Sequence, residues 1–427
     1  MLAKIPNLKV SARTSAFSFK GKNVAIPEIA KQLGVAYVVE GSVRKQGTKV
    51  RITAQLIKAA DGFHVWSDTF TRELKDIFAV QDEIAGLIAK NLELKMGMSA
   101  ATPREINPEA FRLYLAGRGL AAKASNEALK SAVDYFQQAV ALEPTYTAAW
   151  VQLASAHTQL GRWGGAPTLE SWKAARAAID RAKALEPDSP EVLLAEGWIL
   201  RTAEWNWRGA EQAFRRALAL RPNHPDTLSA AAVVLFNIGK TDEAFRLGQQ
   251  AAQLDPLNAA TQIDLSLMFY FNGNWGEAER AARRALELAP GGASFHSTLA
   301  LSLVAQQRYA EAETEAALDG SDIERTAVFG VLAIARGQGT VARQWLARLE
   351  EIALSRGDNA DLQQYFAWIS AGLGDKDRAF AALDRARIAR DPSMSWLRNS
   401  GLLRPLYSDP RWNVLLHQVG LADDQLK

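Results

Sequence analysis

Residues 210–256 read AEQAFRRALALRPNHPDTLSAAAVVLFNIGKTDEAFRLGQQAAQLDP, and this stretch decides the fold. In it, an alanine is followed at the seventh position by a second alanine, and a proline stands at the fifth position after that. The stretch contains two copies of this pattern, Ala210, Ala217, Pro222 and Ala244, Ala251, Pro256. An interval of seven places both alanines on one face of a helix, and proline ends a helix because it has no amide hydrogen to donate. The stretch therefore predicts repeated helices, each with one face of small residues.

The pattern extends in both directions from this stretch. Three more copies are Ala132, Phe136, Ala139, Pro144; Ala175, Ile179, Ala182, Pro187; and Ala278, Ala282, Ala285, Pro290. The prolines of the five copies recur at intervals of 43, 35, 34 and 34. A period of about 34 residues is that of the tetratricopeptide repeat, a helix–turn–helix unit, and the two longer intervals contain insertions. The chain therefore resembles a tetratricopeptide array.

Each repeat has the sequence of a helical hairpin. The first helix carries an apolar stripe, as in Leu228, Ala231, Ala232 and Leu235. A turn is expected at Gly161, Gly239 or Gly273, because glycine tolerates the left-handed conformation that ends a helix. One hairpin cannot bury its apolar face alone, so neighbouring hairpins must stack and share their stability.

The repeat continues in weaker form toward the C-terminus. Ala312 and Ala316 keep the register, although Asp319 stands where an alanine is expected, and glycines at Gly337 and Gly374 indicate two further hairpins. The tail from 400 to 421 is apolar enough to cover the last open face. We therefore predict a mainly α fold, a tetratricopeptide α-solenoid of about eight helical hairpins preceded by a small incomplete α/β domain. Its predicted boundaries are 1–97 for the α/β domain, 98–108 for a linker, 109–399 for the solenoid and 400–427 for a C-terminal cap.

The segment 1–97 does not follow the repeat. Apolar and polar residues alternate over 37–44 and 50–56 around a turn at 46–48, which predicts a β-hairpin, and a third strand is expected at about 64–71. A short helix is expected from Pro27 to Gly34, and a second apolar stripe from Ile77 to Leu92 predicts a longer helix.

The sequence contains none of the residue patterns that support catalysis or metal binding. The chain has no cysteine, which excludes disulfides, thiolate catalysis and cysteine-bound zinc. Its five histidines are scattered, and it has no H-E-x-x-H, no phosphate-binding glycine loop and no G-x-S-x-G turn. We therefore expect a protein that is not an enzyme and that has no cofactor, no metal and no small-molecule substrate.

The charge is distributed unevenly. The net charge is +3, but the segment 1–60 holds eleven Lys or Arg against Glu28 and Glu40. Such a segment could contact nucleic acid or anionic lipid, but its basic residues alternate with apolar ones or lie in turns. A solvated sheet face is the interpretation we prefer, which argues against a nucleic-acid partner. No uninterrupted apolar stretch reaches the length of about 18 residues that a membrane span needs.

Three short motifs between positions 5 and 67 carry a further resemblance. The runs 5–15 (IPNLKVSARTS), 39–44 (VEGSVR) and 66–67 (WS) are similar to the TolB amino-terminal-like domain, which bacteria place before tetratricopeptide arrays. The motifs at 204–207 (EWNW) and 408–412 (SDPRW) are similar to arrays of the same group. In that group the domain usually follows an adenylate or guanylate cyclase, a kinase or a winged-helix DNA-binding domain, often with a transmembrane helix between. The resemblance begins inside the first helix of the domain, so it implies that the opening strand and any effector are not among these residues.

The partner surface can be predicted from the repeat positions that usually face the concave side of such an array. The positions that we expect to line this groove come from the first helices of the third, fourth and fifth units: Leu194, Trp198, Arg201, Val233, Phe236, Asn237, Ile263, Leu267, Tyr270 and Phe271. They form an apolar and aromatic set, with Arg201 and Asn237 as orienting donors. The lysine and asparagine set that clamps a peptide carboxylate in some tetratricopeptide proteins is absent, so we expect an amphipathic helix or an apolar extended segment as the ligand.

The function expected from the sequence is that of a scaffold or sensor module that binds a protein or peptide. The alternative is the regulatory portion of a nucleotide cyclase or a transcriptional regulator whose effector domain is absent from this chain. The resemblance implies a bacterial protein, soluble as given and located in the cytoplasm or the periplasm.

Overall fold

The computed structural model describes residues 10–11, 13–22, 24–47, 49–60, 62–73, 84, 87, 106–123, 125–162, 168–292, 294–356 and 362–426. Two short helices come first, α1 (Arg13–Phe17) and α2 (Ile26–Leu33). Three strands follow, β1 (Tyr37–Gln46), β2 (Lys49–Lys58) and β3 (His64–Glu73). They form an antiparallel sheet in the order β1–β2–β3, with Val43 opposite Ile52 and Ile52 opposite Phe70.

Strand β2 confirms the alternation predicted over 50–56, whereas the apolar residues Tyr37, Val39 and Val43 of β1 are exposed. Val50, Ile52, Ala54 and Leu56 of β2 are all buried. Phe70 joins Val50, Ile52 and Ala54 in a small core, and the partly buried Trp66, Ile84 and Leu87 pack against it. The helix expected from Ile77 to Leu92 lies outside the described residues except at Ile84 and Leu87.

The rest of the described chain is helical. Within the described residues, sixteen helices form eight hairpins: hairpin 1, Pro108–Ala121 and Asn126–Leu142; hairpin 2, Thr147–Arg162 and Thr168–Leu185; hairpin 3, Pro190–Thr202 and Trp207–Leu220; hairpin 4, Pro225–Asn237 and Thr241–Leu254; hairpin 5, Ala259–Phe271 and Trp275–Leu288; hairpin 6, Phe295–Ala305 and Tyr309–Ala317; hairpin 7, Asp322–Ala335 and Gly339–Arg356; hairpin 8, Gln363–Gly372 and Lys376–Ile388. The predicted fold class, a solenoid of about eight hairpins after a small sheet, is confirmed. Among the described residues, no helix is long and apolar enough to cross a membrane.

The second-helix alanines lie where adjacent hairpins meet. Ala217, Ala251 and Ala285 are all 0% exposed, as the repeat pattern requires. A methyl group at each of these positions lets the neighbouring helix approach closely. Asp319, which replaces an alanine in hairpin 6, is also buried, and its carboxylate accepts a hydrogen bond from the amide of Ser297 at 2.9 Å. It thereby satisfies a free amide in the first turn of the first helix of hairpin 6.

The structure confirms two of the three glycines that were predicted to lie in turns. Gly239 and Gly273 have φ values of 84° and 85°, the left-handed conformation that ends a helix. The prediction for Gly161 is wrong, because the first helix of hairpin 2 continues through it to Arg162. Gly161 is instead a packing position, since a Cβ there would lie 3.0 Å from both Ser171 and Trp172.

A bulky residue at position 217 tests the stacking of the hairpins. Ala217→Leu is expected to lower the free energy of unfolding by about 1–3 kcal/mol, because the added carbons must displace a packed neighbour. Ala219→Leu is the matched control, since Ala219 is exposed on the same helix. Urea unfolding of the two variants measures the difference. Equal stabilities would show that position 217 does not lie in a packed contact.

The C-terminal tail was expected to be a cap, and it does more than that. Leu406, Trp412 and Leu415 pack with hairpin 8, but the same apolar core includes Trp205 and Trp207, which lie at the turn and second helix of hairpin 3. Two 3₁₀ segments (Pro392–Asn399 and Gly401–Leu406) precede two short helices (Pro410–Gln418 and Asp423–Leu426). The tail therefore joins the last hairpin to the third one, a contact that no local sequence pattern reveals.

Candidate functional site

The first helices of hairpins 3, 4 and 5 place equivalent repeat positions next to one another. Asn237 and Phe271 are the last residues of their helices and occupy equivalent repeat positions, whereas Arg201 lies one repeat position earlier, next to the last residue of its helix. We use the name inner face for the surface that these three residues form with Trp198 and Phe236. Trp198 packs edge-on against Phe214 of the same hairpin at 6.2 Å, which fixes its ring.

The chain's own residues Pro392–Asn399, which we call the return segment, lie on the inner face. The ring of Trp396 stacks on Phe271 with centroids 5.4 Å apart and packs against Phe236 at 6.1 Å. Arg201 donates a hydrogen bond from Nη2 to Ser395 Oγ at 3.0 Å. A short polypeptide segment therefore occupies this surface through aromatic stacking and a buried arginine.

Asn399 and its neighbours hold the end of the return segment. The Asn399 side-chain amide donates to the carbonyl oxygen of Phe236 at 2.8 Å. That carbonyl lies at the end of the first helix of hairpin 4, where it also accepts a hydrogen bond from the amide of Gly239 at 3.1 Å. Arg398 donates to the carbonyl of Leu421 at 3.1 Å and pairs with Asp423 at 2.7 Å.

A second set of contacts ties the C-terminal part of the chain to hairpins 2 and 3. Trp207 Nε1 donates to the carbonyl of Val419 at 2.7 Å, and Trp172 Nε1 donates to the carbonyl of Arg390 at 3.4 Å. The guanidinium of Arg390 lies 4.3 Å from the centre of the Trp205 ring. Trp205 and Arg390 have φ values of 54° and 55°, a conformation that costs free energy for residues other than glycine. The tertiary contacts of the tail therefore hold strained backbone at this junction.

The structure buries four of the ten residues predicted to line the groove and leaves six partly exposed. The buried ones are Arg201, Val233, Phe236 and Asn237. The partly exposed ones are Leu194, Trp198, Ile263, Leu267, Tyr270 and Phe271. One apolar cluster contains six of the ten, and Trp396 of the return segment packs against the same cluster; the six are Leu194, Trp198, Val233, Phe236, Tyr270 and Phe271. Ile263 and Leu267 are not among the side chains packed in that cluster.

Four predicted residues differ from the expectation of an open groove. Arg201, Val233, Phe236 and Asn237 were expected to face a partner, but they are 2%, 1%, 2% and 0% exposed. The physical reason is that the return segment lies against them or against their neighbours. Arg201 Nε also donates to Asn237 Oδ1 at 3.0 Å, so the two predicted donors bind each other.

Sequence reasoning missed two charged residues at this surface. They are Arg162, which lies beside Trp198, and Asp264, whose charge acts on Arg162 and Arg201. The Arg162 guanidinium at the end of the first helix of hairpin 2 lies 4.9 Å from the centre of the Trp198 ring, and that of Arg201 lies 5.3 Å from the same centre. Asp264 of hairpin 5 accepts a hydrogen bond from Ser229 at 3.3 Å. The repeat pattern could not single them out, because charged residues are common on helix surfaces.

Burial changes the protonation equilibria of this cluster. Burial, with a smaller contribution from the nearby Arg162, lowers the pKa of Arg201 to about 9, and Asp264 opposes the change. Burial also lowers the pKa of Arg162 and raises the pKa of Asp264, although the two arginines partly offset the rise at Asp264. The pKa of the Tyr270 hydroxyl is raised by burial alone. The charged groups of Arg162, Arg201 and Asp264 therefore lie in a poorly solvated environment.

A cavity of about 450 Å³ lies elsewhere, between the second helices of hairpins 3 and 4. Its Arg215 pairs with Glu211 and Glu243, both at 2.8 Å. Because these charges already pair with one another, Arg215 presents no unpaired charge to a ligand in this cavity. Within the described ranges, no group of three or more His, Cys, Asp or Glu side chains is placed to hold a metal ion.

The repeats match a known family. Residues 206–259 and 264–321, from the second helix of hairpin 3 to the end of hairpin 6, match the family model for tetratricopeptide repeats, so this part of the chain carries tetratricopeptide repeats. A curated relative, the putative adenylate cyclase 3 of Rhizobium meliloti (strain 1021), is 33% identical over 213 residues. The match covers 48% of this chain and 36% of that protein, so the chain spans about a third of the length of this curated relative.

Several solved structures are similar to this chain at low sequence identity. A tetratricopeptide repeat protein from Parabacteroides merdae ATCC 43184 is 14% identical, with 64% of this chain and 100% of that chain covered and a TM-score of 0.43. The tetratricopeptide protein TTC0263 from Thermus thermophilus is 20% identical, with 48% and 98% covered and a TM-score of 0.36. The human IFIT1 dimer is 15% identical, with 71% and 77% covered and a TM-score of 0.49.

Proposed function

We propose that this chain is a non-enzymatic protein–protein interaction module whose inner face binds an apolar segment of another polypeptide. The observation that carries the proposal is the return segment, since the surface already holds a stretch of polypeptide. Trp396 inserts between aromatic side chains, and the main chain at Phe236 accepts a side-chain hydrogen bond. A partner segment with an aromatic residue and a short helical turn would meet the same groups.

The return segment competes with the partner for the inner face. A partner that uses the aromatic rings of Phe236 and Phe271 must displace Trp396, because the ring of Trp396 contacts both of them. The apparent affinity of the partner is then reduced in proportion to the fraction of molecules in which the segment is already displaced. Binding thus becomes tunable by anything that changes the stability of the tail.

Alanine substitutions of the partly exposed aromatic residues test the surface. Trp198→Ala and Tyr270→Ala are expected to weaken capture of a polypeptide partner by about 2 kcal/mol or more each, as aromatic anchors do at interfaces. The measurement is affinity capture from the native extract, followed by titration of the captured protein. Trp275→Ala is the matched control, because Trp275 is 42% exposed and begins the other helix of hairpin 5.

The outcomes of this experiment are distinct. Loss of the partner in both inner-face variants, with retention in the control, supports the assignment. Retention of every partner by the Trp198 and Tyr270 variants would remove the inner face as the binding site.

A second candidate function places the chain in a bacterial signalling protein. The 33% identity to a putative adenylate cyclase and the TolB-like motifs between positions 5 and 67 favour a regulatory portion that acts on a cyclase or a winged-helix effector. In this proposal the sheet domain relays partner binding from the solenoid, and no catalytic group comes from residues 1–427. The α1 helix offers one contact for such a relay, since Ser15 Oγ donates to Asp255 after hairpin 4 and accepts from the amide of Leu257 at 3.1 Å.

The genomic reading frame upstream of residue 1 tests the second candidate. A cyclase, kinase or winged-helix domain in the same frame would support it. An in-frame stop codon directly upstream would contradict it, and the binding proposal for the inner face would be unaffected.

A further inference from the structure

Two arginines beside Trp198 have more hydrogen-bond donors than the structure uses. Both guanidinium groups, those of Arg162 and Arg201, lie against the ring of Trp198, at 4.9 and 5.3 Å from its centre. A guanidinium carries five N–H donors and no acceptor. Two positive groups at one aromatic ring repel each other, so a fold keeps them there only at a cost in free energy.

The hydrogen bonds around this pair are incomplete. Arg201 donates to Asn237 Oδ1 and to Ser395 Oγ, both at 3.0 Å. The Nδ2 of Asn237 is buried and has no hydrogen-bond partner among the described residues, and Asn237 is 0% exposed. Arg162 forms no hydrogen bond and no salt bridge within the described part of the chain, where its guanidinium lies against the Trp198 ring. A buried donor without an acceptor destabilises the fold, so an acceptor for Asn237 Nδ2 would be stabilising.

The charges nearby do not neutralise the pair. Asp264 is the acidic group whose charge acts on both arginines. It forms a salt bridge with neither of them in the described structure, and its hydrogen bond comes from Ser229. One carboxylate, itself desolvated, therefore faces two guanidinium groups, and the cluster has an excess of positive charge.

We propose that Arg162, Arg201 and the Asn237 amide form a binding site for an oxyanion, a carboxylate or phosphoryl group on a side chain of the bound polypeptide. Guanidinium groups bind both anions through paired hydrogen bonds. This inference deepens the proposed function, on which the polypeptide source of the anion rests. It also refines the ligand expected from the sequence, an amphipathic helix or an apolar extended segment, by adding one anionic side chain.

The experiment measures small-anion binding to the complete chain. Thermal unfolding is followed at neutral pH in acetate, phosphate or chloride of matched ionic strength. In the wild-type protein, acetate or phosphate is expected to raise the Tm saturably beyond the effect of chloride. A rise in Tm with acetate but not with phosphate would assign the natural group as a carboxylate. A rise in Tm with phosphate would assign it as a phosphoryl group.

Arg162→Gln is the decisive variant, because Arg162 has no hydrogen bond within the described residues whose loss would unfold the chain. It is expected to bind the anion about tenfold or more weakly, since it removes a charge-assisted contact. Arg246→Gln is the control, because Arg246 is exposed on the second helix of hairpin 4, and it is expected to respond as the wild type does.

Two results would overturn the site. One is a wild-type protein in which acetate and phosphate do no more than chloride, and the other is an Arg162→Gln variant that responds like the wild type. Because the probes are small anions, this outcome is separable from the capture experiment on the aromatic residues. If the anion response is absent but capture depends on the aromatic residues as expected, the anion site alone is rejected. If the anion response is present but capture does not depend on those residues, only the polypeptide proposal is rejected.

Discussion

Phe214→Ala is expected to destabilise the solenoid by about 3–5 kcal/mol, the largest loss of stability that we predict for a single substitution. Phe214 is 0% exposed on the second helix of hairpin 3. Its ring fills the space above Gly197 of the first helix, where a Cβ would lie only 2.4 Å from the ring, and it supports the edge of Trp198. Removing the ring leaves a cavity between two helices that cannot approach further.

The matched control for this prediction is Leu220→Ala on the same helix. Leu220 is 51% exposed. Its truncation is therefore expected to change the stability by no more than about 0.5 kcal/mol. The measurement is urea unfolding with amide exchange in hairpins 3 and 4, since a repeat array can open in parts. Comparable effects of the two variants would contradict the packing of Phe214.

Trp396→Ala is expected to release the return segment and to increase polypeptide binding at the inner face. The substitution removes the stacking on Phe271 and the contact with Phe236. Aromatic pairs contribute about 0.5–1.5 kcal/mol each beyond the area that they bury. The fraction of molecules in which the return segment is displaced would rise accordingly, and the affinity of the inner face for a competing segment would rise about tenfold or more. Amide exchange at 393–399 and partner titration measure the two parts of this prediction.

Trp275→Ala is again the control for this variant, because its ring lies at the start of the second helix of hairpin 5 and is partly in solvent. Faster exchange in the return segment of the Trp396 variant alone would agree with displacement. Unchanged exchange together with unchanged affinity would contradict it.

The repeat could be predicted from sequence because its signals are local. The interval of seven between Ala210 and Ala217 depends only on helical geometry, and both residues are 0% exposed. The turn glycines Gly239 and Gly273 follow from the left-handed conformation that only glycine adopts easily. The turn predicted at Gly161 was wrong because the sequence of hairpin 2 contains an insertion, and part of that insertion lengthens its first helix.

The candidate site could be predicted only in part. The repeat positions led to Trp198, Arg201 and Phe271, because each hairpin presents the same positions to the same side. The occupant of that side was not predictable, since Arg201 and Ser395 are 194 residues apart and no periodic pattern connects them. The domain boundaries predicted at 97, 108 and 399 stay predictions, as does the TolB-like nature of the first segment.

The central claim is that the return segment of this chain lies on the inner face formed by hairpins 3 to 5, and a double-mutant cycle on Phe271 and Trp396 tests it most directly. The stabilities of Phe271→Ala, Trp396→Ala and the double variant are measured by urea unfolding against the wild type. The rings lie 5.4 Å apart. Contact at this distance predicts a coupling free energy of about 0.5–1.5 kcal/mol. Additivity within about 0.3 kcal/mol, as found for residues that do not touch, would contradict the claim.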